Sequence, residues 1–365
     1  MKITVGKQEL QERLANIQSI VEKRSTMPIL SHFLLEVGEQ GCAITATDIE
    51  TAVKEPLAAA IEAPGRLCIP ARKLFEIVKE LDGDVTIASE DAQWLTVSAG
   101  KSAFKLACLA PEEFPSWPEL ASARDLSVDA PVLLQMIEKT LYSAGESDTR
   151  YTLNGLLFHL HGGDLTVVGT DGHRLAIITR AIPSDAGAEE LKVIVPRKTA
   201  SELRKFLGGD GEVRVLVGPN HILFRIGEVE FLARLIEGSY PNYQQVIPAT
   251  NDRKMTVAKE AFVKGLRRVS VISRDRSNAV KVDIAPGVLT LTASNPDLGE
   301  ASDEVTAEYE GEALAIGYNA RYLLDALQAM SGESVRVELK DQLSPTLIKE
   351  ADDESYKCVV MPMRI

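Results

Sequence analysis

Long apolar runs are missing from this chain. No stretch approaches the roughly 18 residues that a membrane helix requires, and the opening residues, Met1-Lys-Ile-Thr-Val5, read as a strand, not as a charged-then-apolar leader. A soluble, cytoplasmic protein with no membrane partner is expected. Cysteine is scarce: Cys42, Cys68, Cys108 and Cys358 stand far apart in apolar surroundings, with no close pair to clasp zinc. They read as buried thiols, and no metal or cofactor is expected. G-x-S-x-G, Walker and H-E-x-x-H patterns are absent as well, which removes the commonest hydrolase and nucleotide signatures. Positive charge is in short supply, with 40 Lys and Arg against 53 Asp and Glu and a net charge of −13. That balance disfavours a polyanionic partner unless the charge is segregated.

What the chain does have is repetition. The stretch Val167 to Ala176 contains Thr170-Asp-Gly-His-Arg-Leu175, and near-copies lie at Thr47-Asp48-Ile49-Glu50 and Ser294-Asn295-Pro296-Asp297. Each is a β-branched run broken by Thr or Ser followed by Asp or Asn, residues whose side chains fold back onto their own backbone to make a turn. From Asp48 to Asp171 is 123 positions and from Asp171 to Asn295 is 124. A second string keeps the same beat: Ile69-Pro-Ala-Arg-Lys73, Val195-Pro-Arg-Lys198 and Ile316-Gly-Tyr-Asn-Ala-Arg321, each opening an amphipathic helix. A period this long means three tandem copies of one domain, with boundaries at residues 1–121, 122–248 and 249–365. The proline-bearing exits Phe114-Pro-Ser-Trp-Pro118 and Tyr240-Pro-Asn-Tyr243 mark the two junctions.

Each copy is expected to hold two helices and about eight strands, in an order that is itself doubled. The periodicity predicts helices over residues 7–21, 131–143 and 259–272, and strands over 29–37, 42–46 and 53–61. The class is α+β, with antiparallel sheets on one side and helices on the other. The six helical windows together carry +9, which leaves −22 on the strands and loops. On any one helix such charge is ordinarily a solvated face. If the helices share one side of an arc, Arg197, Lys198, Arg204, Lys205, Arg267 and Arg268 converge on a polyanion. No aromatic platform accompanies them, so a duplex backbone fits better than stacked bases.

Asp171-Gly-His173-Arg174 invites a catalytic reading. The other copies replace His173 by Glu50 and Asp297, however, and neighbouring strand residues face opposite ways. A peptide groove is the better use, with His173 and Arg174 on an exposed turn beside Leu175 and Leu153 and near the tail Met361 to Arg364. Against it stands the plain alternative that the terminal strand merely completes a third sheet. A triplicated scaffold that binds no nucleic acid also stays open.

The strings Met27-Pro-Ile-Leu30, Ile69 to Lys73, Phe114-Pro115, Arg150-Tyr151, Leu153-Asn-Gly155, Thr170 to Leu175, Val195 to Lys198 and Val359 to Arg364 together resemble one family along the whole chain. That family is the bacterial sliding clamp, the beta subunit of the replicative DNA polymerase III holoenzyme. The resemblance implies a head-to-tail homodimer of six processivity domains closed into a ring, with helices lining the hole and antiparallel sheets outside. It implies no catalysis. Duplex DNA would meet Arg24, Arg72 and Lys73, to which the charge argument adds the six residues above. The replicative polymerase catalytic subunit, the clamp loader and other polymerases and repair proteins would dock short peptides into one cleft. That cleft is implied to comprise Leu153, Thr170, Gly172, His173, Arg174, Leu175, Pro241, Val246, Ser344, Val359, Met361, Pro362, Met363 and Arg364. Phe104, Val271 and Ile272 fall where the family closes its ring. Thr152 and Pro345 depart from the family pattern at the cleft rim.

Overall fold

The computed structural model describes residues 1–21, 26–91, 93–118, 120, 123–182, 190–273, 278–351 and 353–364. The first repeat runs β1 (Lys2–Val5), α1 (Lys7–Ile17), β2 (His32–Gly38), β3 (Gly41–Thr47), β4 (Thr51–Pro56), β5 (Ala60–Ala63), β6 (Gly65–Pro70), α2 (Ala71–Glu80), β7 (Val85–Ala88), β8 (Trp94–Ala99) and β9 (Ser102–Ala107). The second runs β10 (Arg124–Asp129), α3 (Ala130–Leu141), β11 (Gly155–His161), β12 (Asp164–Thr170), β13 (Arg174–Ala181), β14 (Leu191–Pro196), α4 (Arg197–Leu203), β15 (Glu212–Val217), β16 (His221–Ile226) and β17 (Val229–Arg234). The third runs β18 (Arg253–Ala258), α5 (Lys259–Ser273), β19 (Ala279–Ala285), β20 (Val288–Asn295), β21 (Gly299–Glu308), β22 (Leu314–Asn319), α6 (Ala320–Ala329), β23 (Ser334–Leu339), β24 (Thr346–Glu350) and β25 (Tyr356–Val360). The doubled strand-helix-strands order therefore recurs three times, and every strand pairing is antiparallel.

By packing, the described residues form two compact units. One comprises Met1–Leu133 and Ser201–Leu235; the other comprises Leu134–Ile182, 190–200 and 236–364. In the first unit, one sheet has the order β5-β1-β7-β8-β9 and another β10-β15-β16-β17-β4-β3-β2-β6. Helices α1 and α2 pack on each other and bury Leu10, Leu14 and Ile17 with Leu74 and Val78, the residues that fall at spacings of three and four. The second unit holds a single sheet in the order β14-β11-β12-β13-β25-β24-β23-β18-β21-β20-β19-β22. There α5 lies close against β20 and β21, and Gly265 permits it: a Cβ at that position would come within 2.9 Å of Leu291 and Val305.

One rule joins the repeats. The last strand of a copy's first half pairs with the last strand of the next copy's second half. So β4 pairs with β17, with Ala52 opposite Leu232, and β13 pairs with β25, with Leu175 opposite Val359.

Three expected elements differ. Residues 29–31 belong to a 3-10 turn, because Pro28 fixes its first φ and the Ser31 hydroxyl donates to Pro28 O at 2.7 Å; the strand begins at His32. The expected 53–61 strand is two strands in different sheets, parted at Leu57, whose N–H is taken by Cys42 O. Helix α1 stops at Ile17, although Ile20 and Val21 remain buried in the turn that follows. All four cysteines are buried free thiols, and burial raises their pKa values, to about 11 for Cys42 and Cys358 and about 12 for Cys68 and Cys108.

Candidate functional site

The site grows from the turn between β12 and β13. Thr170 Oγ1 donates to Arg174 O at 2.6 Å and accepts the Gly172 N–H, while Asp171 Oδ1 accepts the N–H groups of His173 and Arg174. These are the side-chain-to-backbone bonds that Thr and Asp offer a turn. Gly172 takes φ +83°, a left-handed conformation that favours glycine, and a Cβ there would lie 2.6 Å from the end of the Arg150 side chain and displace it. Arg150 is held in turn by Asp148 at 2.7 Å and donates to Asp171 O at 2.9 Å. Its bond holds the Asp148 carboxyl down to about 2.

Above this turn opens a cavity of about 110 Å³. Leu153, Thr170, Gly172, Arg174, Leu175, Pro241, Val246, Val359 and Met361 line it, so nine residues scattered from 153 to 361 are brought together. Beneath lies an apolar floor of Leu157, Val168, Leu175, Ile177, Leu347 and Val359, packed with Tyr243. Tyr243 and Arg150 also line the cavity and were not among the residues expected there. The second tyrosine of the Tyr240-Pro-Asn-Tyr243 exit was the available signal. Its hydroxyl bonds His159 Nδ1 at 2.7 Å, an anchor 84 positions away that no local pattern reveals.

Five expected members do not line this cavity. His173 lines a neighbouring polar one and stacks on Tyr322 at 6.3 Å. Ser344 is fastened to Asp341 through both its N–H and its hydroxyl. Met363 donates its N–H to Gly317 O in β22, and Pro362 and Arg364 flank it. Arg174 requires a correction. It was expected as an exposed donor, yet its side chain is only 10% exposed. The guanidinium lies between Tyr142 and Tyr322 and bonds Asp325 at 2.5 Å, Asp171 at 3.1 Å and Tyr142 O at 2.7 Å. Burial works against its charge, and the carboxylates of Asp325 and Asp171 outweigh that and raise its pKa.

The neighbouring cavity, about 500 Å³, is lined by His173, Arg174, Arg197, Arg321, Tyr322 and Asp325 among others. Burial lowers the Arg197 pKa, and nearby Arg174 and Arg321 lower it further against the pull of Glu146. Glu146, Asp148, Asp171 and Asp325 line it too, so each of these arginines faces a carboxylate.

Of the other basic residues, Arg72 and Lys73 are exposed in the first turn of α2, with Lys73 on Glu76. Lys198 is exposed, Lys205 pairs with Glu202, and Arg204 is half-buried. Arg267 and Arg268 are exposed on α5, Arg268 paired to Asp303. Arg24 lies outside the described residues. Phe104 on β9 and Val271 at the end of α5 are 37% and 61% exposed, large for apolar side chains, and Ile272 is half-buried.

Three family models match the chain in series: the DNA polymerase III beta subunit N-terminal domain over residues 1–118, its central domain over 127–242 and its C-terminal domain over 244–364. The beta sliding clamp of Caulobacter vibrioides is 38% identical over 374 residues, and that of Escherichia coli 33% over 368, each covering all of both chains. Among solved structures, a Pseudomonas aeruginosa DNA polymerase III subunit beta bound to griselimycin matches with TM-score 0.95 at 35% identity over all of both chains. The Bacillus subtilis DNA polymerase sliding clamp matches with TM-score 0.95 at 27% identity, over 100% of this chain and 99% of that one.

Proposed function

The chain belongs to the DNA polymerase III beta subunit family, the beta sliding clamps, with three tandem clamp domains, and from that premise we propose that it is a cytoplasmic, non-catalytic processivity factor, a head-to-tail homodimer closed around duplex DNA. The copies are bounded at residues 1–121, 122–248 and 249–365. Arg24, Arg72, Lys73, Arg197, Lys198, Arg204, Lys205, Arg267 and Arg268 contact phosphates without reading sequence. The exposure of Arg72, Lys73, Lys198, Arg267 and Arg268 supports this.

The observation that carries the dimer is a pair of open strand edges. Among the described residues β9 is paired only with β8, and residues 299–305 of β21 only with β20. In the rule that joins the repeats, β21 is the last strand of a first half and β9 the last strand of a second half. The rule therefore pairs β21 of one protomer with β9 of its partner, with Phe104, Val271 and Ile272 supplying apolar cover. Closure also removes two edges that would otherwise template aggregation.

The groove at Leu153, Gly172, Leu175, Pro241, Val246, Val359 and Met361 takes short glutamine-and-apolar peptides of the replicative polymerase, clamp loader and repair proteins. His173, Arg174, Ser344 and the tail residues Pro362, Met363 and Arg364 shape its surroundings.

Retention on DNA tests the reading. Loaded protein should stay on closed circles and slip from linear molecules, and loss from both sinks the clamp. Direct DNA contact should weaken about tenfold between about 50 and 200 mM salt if even two phosphates are neutralised, while the dimer persists. A contact indifferent to salt would mean that the basic residues lie elsewhere.

A further inference from the structure

The first unit contains a counterpart of the groove just described. Thr47 Oγ1 donates to Thr51 O and accepts the Ile49 N–H, and Asp48 Oδ1 accepts the N–H groups of Glu50 and Thr51, bond for bond the scheme of Thr170 to Arg174. The strand exits match as well: Arg234 donates its N–H to Glu50 O at 2.7 Å, as Met361 does to His173 O at 2.9 Å. Pro115 and Trp117 line the first groove where Pro241 and Tyr243 line the second. Ala52 and Leu232 form its floor, in a cluster with Leu223 against which Trp117, Leu120 and Leu216 pack.

The two grooves differ in size and in charge. The first has about 250 Å³ against about 110 Å³, and the matched positions give a reason, since Ala52 stands where the second has Leu175. Arg234 takes the place of Met361, and His221 and Glu50 also line the first groove. Apolar depth is therefore present, with the Arg234 cation and the Glu50 carboxylate both at its rim.

We propose that this groove is a second peptide-docking site, which takes a short extended segment with a bulky apolar side chain above Ala52 and Leu232 and a carboxylate facing Arg234. The inference rests on the reading of the second unit's groove as a peptide cleft. A larger void admits a larger anchor than the Leu175 groove does, and Arg234 selects an acidic neighbour for it where Met361 selects none. The two sites would accordingly hold different segments at the same time.

The full chain with Trp94→Phe retains Trp117 as its one tryptophan, and Trp117 lines the groove. An acetylated pentapeptide of two leucines, one phenylalanine and two aspartates should change its emission saturably. Arg234→Glu should weaken that response at least tenfold, and Val246→Asp, placed in the second unit's groove, should leave it unchanged. A labelled glutamine-and-leucine peptide followed by fluorescence polarisation reports the second groove separately. If that peptide fails to bind while Trp117 still responds, the cleft reading fails and this site stands. Absence of a Trp117 response at millimolar peptide, or a response lost equally in Val246→Asp, overturns the proposal. So does an emission change driven by protein concentration alone, which would make the occupant a second copy of the chain.

Discussion

The turns at Thr47–Thr51 and Thr170–Arg174 use the same bonds to very different ends. In the second, glycine occupies the left-handed position, and the arginine that follows is drawn inward between two tyrosines and onto Asp325. In the first, Ile49 holds φ +79° with its side chain 51% exposed, and Thr51 stands where the arginine would be. A β-branched residue in that conformation is strained by about 1–3 kcal/mol. Identical backbone hydrogen bonds thus frame a braced groove in one unit and a strained, wider one in the other. The scaffold was duplicated while the side chains that set depth and charge diverged.

The difference is broken most severely at Arg174. Arg174→Ala leaves Asp171 without its guanidinium and Asp325 with only Arg321 at 3.9 Å, and should cost about 3 kcal/mol, read as a lower urea midpoint. An unchanged midpoint would mean that the bracing is illusory. Exchanging the left-handed residues comes next. Gly172→Ile should destabilise by about 2–3 kcal/mol through backbone strain and displacement of Arg150, whereas Ile49→Gly should stabilise by up to about 1 kcal/mol, the relief of strain exceeding the entropy glycine adds to the unfolded chain. Equal signs for both would abolish the contrast. Smaller still is the effect of the second cap: Asp171→Asn should cost about 2 kcal/mol, because Asp171 bonds the Arg174 guanidinium as well as two backbone N–H groups.

The smallest effect is on pH, and here the two units should behave alike. Burial lowers the pKa of His159 against the pull of Glu190, and burial followed by Arg234 lowers that of His221; burial lowers that of His32 too. A histidine whose folded pKa lies below its unfolded value favours the folded state while neutral. Stability is therefore complete above about pH 6.5 and is lost as pH falls through the folded pKa values. Urea midpoints should drop between pH 7.5 and 5.5, and less so in His159→Gln than in the parent; a midpoint that rises with acid would contradict the burial of these rings.

Much of this was legible in the chain. The helix windows and the Thr-Asp turns depend on residues within a few positions of one another, and the threefold beat is the recurrence of such local strings; they appear where expected, save that α1 ends early at Ile17. Less was legible wherever a partner lay far off. The 3-10 turn at Pro28 was hidden by its apolar neighbours Ile29 and Leu30, whose burial suits a strand equally well. The route of Arg174 was hidden because the carboxylate that draws it inward is 151 residues away. The place of Tyr243 in the groove is not legible locally, because its anchor on His159 is a tertiary contact.

Taken alone, the sequence determined the three copies, their α+β composition and the chemistry of each turn, since the strings that recur and the side-chain-to-backbone bonds within them are each local. Only the tertiary structure decided which strands meet across copies, which edges stay open and which grooves have depth. Those outcomes turn on where distant side chains such as Ala52, Leu232, Leu175 and Val359 come to rest, and packing of that kind leaves no mark on any single stretch of chain.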